Sequence, residues 1–386
     1  MDGVRLTGQL HLKCYGVCCV FYKARGAVSP LDVDAGTRRM NGKSFRHGLI
    51  AAGLTAAEVL RRLGVMPDAR GLGAIFTLHQ VRPYRPCAPD PNRHLEITPK
   101  FLDTALRALW RENYEFIRLE DVPDRLMRPT GRPFAAFTLD DAYRNSRDFA
   151  LPVFERFEAP FTVFVCQGLS ERSHGLWWET LAALVRKVDR LEFEIDGRQH
   201  VLPADTVARK ASIFARIASR IAAGDETAAI AWLDRVALGK GIDSAHLVDD
   251  AILSSSELAD FAAHPLVSLG AHTISHRGLV RLSPFTVRQE LEQPADYLEK
   301  LTGRRPETFA YPYGDHRSVD ERIVAQVGEA GFRVAVTTRP STLFPGHGAA
   351  LHALPRISLN GHFQTATAVR TLASGIPFRL SSRHPA

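Results

Sequence analysis

Residues 137–143 read Phe-Thr-Leu-Asp-Asp-Ala-Tyr, and the short apolar run 134–139 ends there in two adjacent carboxylates. In α/β proteins, ligands and catalytic groups collect at the carboxyl ends of buried strands. Neighbouring side chains on a strand or turn point in different directions, so Asp140 and Asp141 can have different tasks. One can bind a cation while the other accepts a proton. The alternative is a plain strand-to-turn junction in which one Asp caps the next helix.

Strand-like and helix-like segments alternate on both sides of this stretch, from Gly73 to Leu359. Thr98-Pro99 and Ser283-Pro284 each predict a helix start, because a hydroxyl cap precedes a proline at the first helical position. Repetition of strand, crossover helix and strand predicts an α/β fold with parallel strands. The predicted buried strands are 74–78, 116–119, 134–139, 161–166, 266–270, 309–311, 332–337 and 354–359.

A second motif follows another predicted strand, where residues 270–276 read Gly-Ala-His-Thr-Ile-Ser-His. Two imidazoles four residues apart, His272 and His276, lie on one face of a helical turn and can reach one metal ion. Two histidines and one carboxylate leave coordination positions open, which suits a catalytic divalent ion. The alternative is a solvated helix face, since this spacing is common by chance.

A third motif is residues 309–315, which read Phe-Ala-Tyr-Pro-Tyr-Gly-Asp. A turn of this kind can expose a backbone N–H to a substrate oxygen, and its aromatic rings can form a wall the size of a sugar. Taken alone, the segment is equally a strand that leads into a Pro/Gly turn.

In this order, the three motifs resemble the polysaccharide deacetylase (NodB-homology) domains of carbohydrate esterase family 4. The resemblance extends from about Gly73 to Leu359 and includes the segments 76–81, 176–179 and 354–357. It implies a distorted (β/α) barrel of about seven parallel strands. It also implies one divalent metal ion, most often Zn²⁺, with Co²⁺, Ni²⁺ or Mn²⁺ as alternatives, at the carboxyl ends of the strands.

Mapped onto this sequence, the resemblance implies that Asp141, His272 and His276 are the metal ligands. Asp140 takes the position of the general base that removes a proton from a metal-activated water. The backbone N–H of Tyr313 takes the position of the donor that stabilises the tetrahedral oxyanion.

The chain departs from the family pattern at two positions near these residues. Ala142 stands where the family often has glycine, and alanine disfavours a positive φ, so this loop is expected to differ slightly. Ala310 stands where many members have an arginine that holds the catalytic carboxylate. We expect Arg356, on the neighbouring last strand, to supply that guanidinium to Asp140.

The general acid of the family has no clean counterpart in this chain. His352 is nearest to it by position, although residues 354–357, Leu-Pro-Arg-Ile, replace the usual pattern around it. His352 is equally an exposed loop residue, and His79 or His316 could serve instead. The sequence therefore leaves the acid unassigned, with His352 as the first candidate.

Aromatic residues beside the motifs are candidates for contact with a sugar ring. Adjacent aromatic residues such as Trp177 and Trp178 are also typical of a core, so the assignment has a structural alternative. The predicted substrate-binding residues are Tyr143, Tyr311, Pro312 and Trp177.

Composition and charge limit the remaining functional classes. Hydrophobic residues at 45% and charged residues at 24% are ordinary for a globular chain of 386 residues. The net charge of +7 comes from scattered basic residues, which permits a polyanionic substrate or an anionic membrane surface but does not indicate nucleic acid. No apolar run reaches transmembrane length, so a cytoplasmic location is expected by default. The oligomeric state is left open.

The expected domain organisation has three parts. Residues 1–70 are predicted to be an N-terminal extension that is partly irregular or disordered, with a short amphipathic helix near 49–54 and Met40 as an alternative start. Residues 71–365 are predicted to form the catalytic domain, with a helical insertion at about 179–264. Residues 366–386 are predicted to be a C-terminal tail. The odd number of five cysteines does not fit a secreted disulfide framework, and Cys14, Cys18 and Cys19 are read as unpaired thiols because no matching Cys or His pair has zinc-finger spacing.

The resemblance implies a metal-dependent hydrolase that removes N-acetyl groups from an amino-sugar oligo- or polysaccharide, or from a glycan precursor. An O-acetyl esterase that acts on a polysaccharide would use the same site. A catalytically silent carbohydrate-binding barrel would keep the fold without the reaction, although the base and all three ligands are present here.

Overall fold

The computed structural model of the chain describes residues 35–195 and 198–381. Three of the cysteines, Cys14, Cys18 and Cys19, lie outside these residues, whereas Cys87 and Cys166 are free thiols. The strands are β1 Gly73–Leu78, β2 Gln80–Val81, β3 Glu96–Ile97, β4 Glu115–Phe116, β5 Phe134–Leu139, β6 Phe161–Val165, β7 Arg190–Ile195, β8 Arg198–Pro203, β9 Val267–Ala271, β10 Thr308–Ala310, β11 Val334–Val336 and β12 Ile357–Ser358.

Helices separate most of these strands. They are α1 Ala35–Arg62, α2 Pro99–Arg111, α3 Val122–Met127, α4 Leu151–Glu155, α5 Gln167–Ser170, α6 Trp177–Lys187, α7 Val207–Ala223, α8 Glu226–Leu238, α9 Ser244–Ala251, α10 Ser255–Ala262, α11 Pro284–Thr302, α12 Glu321–Glu329, α13 Ala366–Ala373 and α14 Ile376–Ser381.

The central sheet is parallel and follows the order β11-β10-β9-β6-β5-β1-β12, with β4 paired to β5 beside this path. An isolated parallel bridge from Val336 to Leu354 links β11 to the segment that leads into β12. The two ends of the seven-strand path therefore approach each other. This arrangement confirms the predicted (β/α) barrel of about seven parallel strands.

Local sequence explains why the central strands and their crossover helices form. Every residue of β1 and β5 is buried, as expected for parallel strands that are covered on both faces. Thr98 caps α2 by accepting a hydrogen bond from the N–H of Phe101 at 3.1 Å, and Ser283 caps α11 in the same way. Both predicted helix starts are confirmed. The capped helices then place their apolar faces against the sheet.

The insertion between α6 and β9 contains the helices α7 to α10, and it also contains an antiparallel hairpin of β7 and β8. Sequence analysis missed this hairpin, although residues 190–195 alternate polar and apolar side chains. The insertion shares an apolar cluster with α6, which includes Trp177, Trp178 and Leu181 of that helix and extends to Tyr143 beside the barrel. The insertion is thus packed onto the strand end that carries the Asp pair.

Helices at both ends of the described chain pack on the barrel and on each other. The helix expected near 49–54 is part of the longer α1, and the segment expected to be a tail contains α13 and α14. Buried Glu58 of α1 accepts hydrogen bonds from Arg61 at 2.8 Å and from the Thr371 hydroxyl of α13 at 2.8 Å. Over the described ranges, none of the helices has both the length and the apolar character needed to cross a membrane.

Close packing between β9 and its neighbours predicts a large effect for Gly270→Ala. A Cβ at Gly270 would lie 2.5 Å from Cε1 of Phe164 on β6 and 2.5 Å from Oγ1 of Thr308 on β10. We expect the substitution to lower the free energy of unfolding by about 1–3 kcal/mol, because overpacking forces neighbouring side chains to move. Urea denaturation followed by circular dichroism measures this change.

Gly53→Ala is the matched control, because Gly53 is exposed in α1 and nothing lies within 4 Å of its added Cβ. This substitution should leave the free energy of unfolding unchanged or raise it by about 0.5–1 kcal/mol. Equal urea midpoints for the two variants would contradict the packing described for β9.

Candidate active site

Three potential metal ligands converge at the carboxyl ends of β5 and β9. The Oδ1 atom of Asp141 lies 3.6 Å from Nε2 of His272 and 3.3 Å from Nε2 of His276. One ligand atom from each residue lies within 4.8 Å of the others. Asp141 and His272 are buried, with exposed fractions of 2% and 1%. The fold thus brings together the ligand set that the motifs indicate, from two strands separated by β6.

The backbone at these motifs is held in a sparsely populated conformation. Nine non-glycine residues of the described chain have a positive φ, and five of them belong to the three motifs: Asp141, Ala142, Thr273, His276 and Tyr313. The expectation that Ala142 would avoid a positive φ is wrong, because its φ is 53°. Strained backbone of this kind persists only where surrounding contacts impose it, and it is concentrated at functional sites.

The hydrogen bonds of His272 orient its ring for ligation. Its Nδ1 lies 2.7 Å from the carbonyl oxygen of Ala310. A carbonyl can only accept, so Nδ1 carries the proton and Nε2 presents its lone pair toward Asp141. A hydrogen bond of this kind on the far ring nitrogen is typical of histidines that bind metals.

The carboxylate oxygen left unsatisfied in the cluster fits a divalent cation. Oδ1 of Asp141, which faces Nε2 of both imidazoles, is buried and accepts no hydrogen bond from any described residue. Burial and the adjacent charge of Asp140 raise the pKa of Asp141 well above its usual value. Burial and the neighbouring imidazole of His272 hold the pKa of His276 well below its usual value. A bound cation would favour the ionised carboxylate and the neutral imidazoles, which are the forms that ligate.

Asp140 precedes the ligand Asp141 and forms a bidentate ion pair with Arg356. The two distances are 2.7 Å from Nη1 to Oδ1 and 2.8 Å from Nη2 to Oδ2. Arg356 is fully buried and also donates to the Thr138 hydroxyl and to the Thr337 carbonyl. Burial alone would raise the pKa of Asp140, but Arg356, with smaller contributions from His79 and His272, holds it well below its usual range. Asp140 is therefore ionised, and Arg356 lies where the departure at Ala310 led us to expect it.

The three histidines considered for the general acid occupy different places. His352 is turned away from the cluster: its Nε2 lies 2.8 Å from the carbonyl oxygen of Phe332, and its ring contacts Gly328. His316 is exposed on the loop after the third motif. His79 lies beside Asp140, with Nε2 3.9 Å from Oδ2, and burial lowers its pKa to about 4. The ring of His352, the first candidate from sequence, is thus directed toward α12 rather than toward the cluster.

The aromatic residues predicted to contact sugar are mostly buried. Tyr143 is 0% exposed and its hydroxyl accepts a hydrogen bond from Trp178 at 2.8 Å, while Tyr311 is 1% exposed and donates to the His352 carbonyl at 2.7 Å. Trp177 and Pro312 are buried as well. Their rings therefore form the supporting wall of the site rather than an open face, in line with the structural alternative.

Tyr313 differs from the other aromatic residues because it lies over a candidate ligand. Its ring centroid is 5.4 Å from that of His276, and the ring of Trp178 is 4.8 Å from the same imidazole. The Tyr313 loop is fixed by a hydrogen bond from the Thr338 hydroxyl to the Tyr313 carbonyl at 2.6 Å. The residue predicted to donate to the oxyanion is therefore next to the ligand cluster and held in place.

Sequence analysis missed Glu226, which joins the second and third motifs. The Tyr313 hydroxyl donates to Oε1 of Glu226, and Oε2 accepts from the N–H of Gly278 at 3.1 Å. The next residue of α8, Thr227, accepts from Arg277 at 2.8 Å. The insertion thus holds together the loop after His276 and the loop of Tyr313. In sequence, Glu226 follows the helix cap Asp225 and resembles any acidic residue of a first helical turn.

Sequence analysis also missed Glu290, although a usable signal existed. Its buried carboxylate accepts from the N–H groups of Ile274 and Ser275 at 2.8 and 3.0 Å, from the Ser275 hydroxyl at 2.5 Å and from Arg277 at 3.0 Å. Four donors on one carboxylate fix the loop between the two ligand histidines. The signal was the position of Glu290 on the apolar face of α11, three residues after Val287.

Comparison with known proteins agrees with the resemblance that the motifs indicate. Residues 237–335 match the family model described as polysaccharide deacetylase, which confirms the resemblance. The matched range contains the second and third motifs, and the Asp pair precedes it. No match was found among curated proteins.

Several solved structures are similar to this chain at low identity. A deacetylase of Streptococcus pyogenes, PplD, solved in complex with acetate, is 18% identical over 75% of this chain and 92% of its own, with a TM-score of 0.48. IcaB from Ammonifex degensii is 16% identical over 80% and 98%, with a TM-score of 0.49. A polysaccharide deacetylase from Bacillus cereus is 17% identical over 79% and 68%, with a TM-score of 0.49.

The ligand cluster predicts metal binding that depends on His272. Protein loaded with zinc and then dialysed should retain about one ion per chain, and His272→Ala should lose it, because two remaining ligands hold a divalent ion weakly. Elemental analysis by mass spectrometry measures the content. His316→Ala is the control, since that exposed imidazole lies outside the cluster. Equal metal content in the two variants, or none in the unmodified protein, would contradict the site.

The contacts of Glu226 predict that replacing it lowers kcat for release of acetyl groups without lowering the metal content. In Glu226→Ala, Tyr313 and Gly278 lose a shared acceptor, and we expect kcat to fall roughly tenfold or more. Metal content should be unchanged, because Glu226 touches none of the three ligands. Steady-state kinetics and elemental analysis measure the two quantities.

Glu321→Ala is the matched control, because Glu321 also follows an aspartate cap, Asp320, in the first turn of a helix and is exposed. It should leave kcat unaltered. If Glu226 acts through Tyr313, the effects of Glu226→Ala and Tyr313→Phe should be clearly less than additive. Fully additive effects would show that the contact with Tyr313 has no part in turnover.

Proposed function

We propose that this chain, whose residues 237–335 match the polysaccharide deacetylase family model, is a metal-dependent hydrolase that removes N-acetyl groups from an amino-sugar oligo- or polysaccharide, or from a glycan precursor. The observation that carries the proposal is the pairing of two features. The cluster of Asp141, His272 and His276 contains a buried carboxylate oxygen that has no hydrogen-bond partner among the described residues, and an ionised Asp140 lies next to it. These are the parts that amide hydrolysis by an activated water requires.

Asp141, His272 and His276 would hold the metal ion. When bound, a divalent ion supplies a Lewis acid that polarises the acetyl carbonyl and lowers the pKa of a water molecule. Two imidazoles and one carboxylate are a donor set typical of catalytic Zn²⁺, and Co²⁺, Ni²⁺ or Mn²⁺ accept the same donors. Zn²⁺ is therefore our first choice for the ion.

Asp140 would act as the general base. Arg356 binds both carboxylate oxygens, so it fixes the orientation of Asp140 and keeps it ionised at neutral pH. The carboxylate takes one proton from water as the oxygen attacks the acetyl carbon. The backbone N–H of Tyr313 would donate to the oxyanion that forms.

Cleavage of the C–N bond then requires a proton on the leaving nitrogen. The proton that Asp140 accepted from water is the one that the leaving nitrogen receives, and the products are acetate and the sugar amine. His79, 3.9 Å from Asp140, is our candidate for the relay, in place of His352. With a pKa of about 4, His79 is neutral near pH 7, so it would pass on a proton rather than store one.

The proposal predicts release of acetate from an N-acetylated oligosaccharide by the zinc-loaded protein. Chitotriose carrying three N-acetyl groups and an acetylated xylotriose are offered separately, and acetate is measured by a coupled enzymatic assay. We expect faster release from the amide substrate and none after removal of the metal with a chelator. Faster release from the xylose ester would replace the amide assignment with an esterase. Binding of either oligosaccharide without any acetate release would favour the silent carbohydrate-binding barrel.

Arg356→Lys tests the assignment of the base within the same assay. Lysine keeps the positive charge but cannot bind both oxygens in parallel, and the lost charge-assisted hydrogen bond is worth about 1.5–3 kcal/mol, or roughly tenfold or more in kcat. Metal content should be unchanged. An unaltered kcat would show that the pair of Arg356 and Asp140 does not set the rate.

A further inference from the structure

A cavity of about 440 Å³ lies beside the candidate active site. Its inner wall includes Gln80, which follows His79, and Tyr143, which is two residues beyond Asp141. Its outer wall is formed by α9 of the insertion, through Leu247, Asp250 and Ala251. The cavity is thus bounded by the strand ends that carry the base and by the segment inserted into the barrel. Its volume is within the range of small-molecule sites.

The inner wall presents a connected set of planar polar side chains. Asn145 accepts from the N–H of Val81 at 2.9 Å and donates to Gln80 at 3.2 Å, and Gln80 in turn donates to Glu179 at 3.2 Å. Amide and carboxylate groups that are oriented in this way can each donate to or accept from vicinal hydroxyls. Hydroxyl-rich ligands with fixed stereochemistry, such as pyranoses, present such pairs.

The charges around the cavity balance each other. The lining includes three arginines, Arg82, Arg85 and Arg144, and three acidic residues, Asp148, Glu179 and Asp250. Two of the arginines also form ion pairs behind the wall, Arg82 with Glu96 and Arg144 with Glu257. A site for a polyanion would carry a net positive charge. The lining therefore favours an uncharged ligand.

A second depression of about 350 Å³ adjoins the first and shares Asp148 and Phe149 with it. Both residues belong to the single π-helical turn Ser146–Ala150, and such turns are frequent at functional sites. Phe149 is 40% exposed and lines both depressions, so an aromatic side chain lies at their junction. The axial C–H groups of a pyranose form an apolar face that packs on an aromatic ring. We name the two depressions together the side groove.

We propose that the side groove binds uncharged sugar residues that flank the residue being deacetylated, with Phe149 stacked on one of them. The inference rests on the proposed function, and it makes the substrate an oligo- or polysaccharide rather than a single amino sugar. It also assigns the insertion a role in substrate binding, because α9 forms the outer wall of the groove. The volumes of the two depressions, the near-cancellation of five basic and four acidic side chains in their combined lining, and the exposed ring all favour a neutral glycan chain.

The test compares substrates of different lengths. N-acetylated chitobiose and chitopentaose are given to the zinc-loaded protein and to Phe149→Ala, and KM and kcat are measured by acetate release. For Phe149→Ala we expect KM for the pentasaccharide to rise about tenfold, while KM for the disaccharide and both kcat values stay unchanged. Phe285→Ala is the matched control, since Phe285 is 71% exposed on α11, away from the groove, and should alter neither KM. An equal KM ratio in Phe149→Ala and the unmodified protein would overturn the proposal.

Binding measured without turnover separates this inference from the proposed function. Isothermal titration calorimetry measures the binding of chitopentaose to the Asp140→Asn variant and to the double variant that also carries Phe149→Ala. We expect the double variant to bind about tenfold more weakly. If the pentasaccharide binds through Phe149 but no acetate is ever released, the groove stands and the deacetylase assignment fails. If acetate is released but Phe149→Ala binds as tightly as its parent, the groove proposal is rejected and the deacetylase assignment is kept. If the parent protein does not bind the pentasaccharide, the groove is likewise excluded.

Discussion

The buried ion pair of Arg356 and Asp140 is the contact on which the arrangement of the site depends. A guanidinium with no solvent exposure needs a compensating anion, and Asp140 is held to it by two hydrogen bonds of 2.7 and 2.8 Å. The pair joins the segment before β12 to the end of β5, with β1 between them. It also neutralises one of the two adjacent carboxylates. The carboxyl group of Asp141 faces only the two imidazoles and has no arginine or lysine partner among the described residues, which is an arrangement that a bound cation would complete.

Two further carboxylates, those of Glu290 and Glu226, fix the loops of the site by hydrogen bonds, as Arg356 fixes the strand ends. The loop of residues 272–278, which we name the histidine loop, and the Tyr313 loop both contain residues with a positive φ. Such a backbone conformation costs free energy unless other contacts fix it. Glu290 accepts four hydrogen bonds from the histidine loop, and Glu226 bridges this loop to Tyr313. Because Glu290 belongs to α11 and Glu226 to the insertion, the loop geometry depends on elements that carry no recognisable motif.

The sequence was most informative where chemistry and strand position coincide. Polar residues directly after buried apolar runs located Asp140, Asp141 and His272, and the missing arginine at Ala310 led to Arg356, because neighbouring parallel strands end at the same edge. Contacts between residues far apart in the chain could not be predicted. Glu226 and Tyr313 are 87 residues apart, and no local sequence pattern relates them. The direction of a side chain could not be predicted either. His352 occupies a suitable position in the chain, yet its ring is turned toward Phe332, and Ala142 adopts a φ that alanine disfavours in general.

The insertion contacts both the side groove and the loops of the candidate site. Its α8 contacts Tyr313 and the loop after His276, and its α9 forms the outer wall of the side groove. Both helices belong to one apolar cluster, which includes Leu233 and Val248 and reaches Tyr143 beside the Asp pair. A densely packed cluster transmits a displacement of one helix to the other. If the side groove binds a glycan as proposed, the helix that the glycan touches, α9, packs in the same cluster as the helix that carries Glu226.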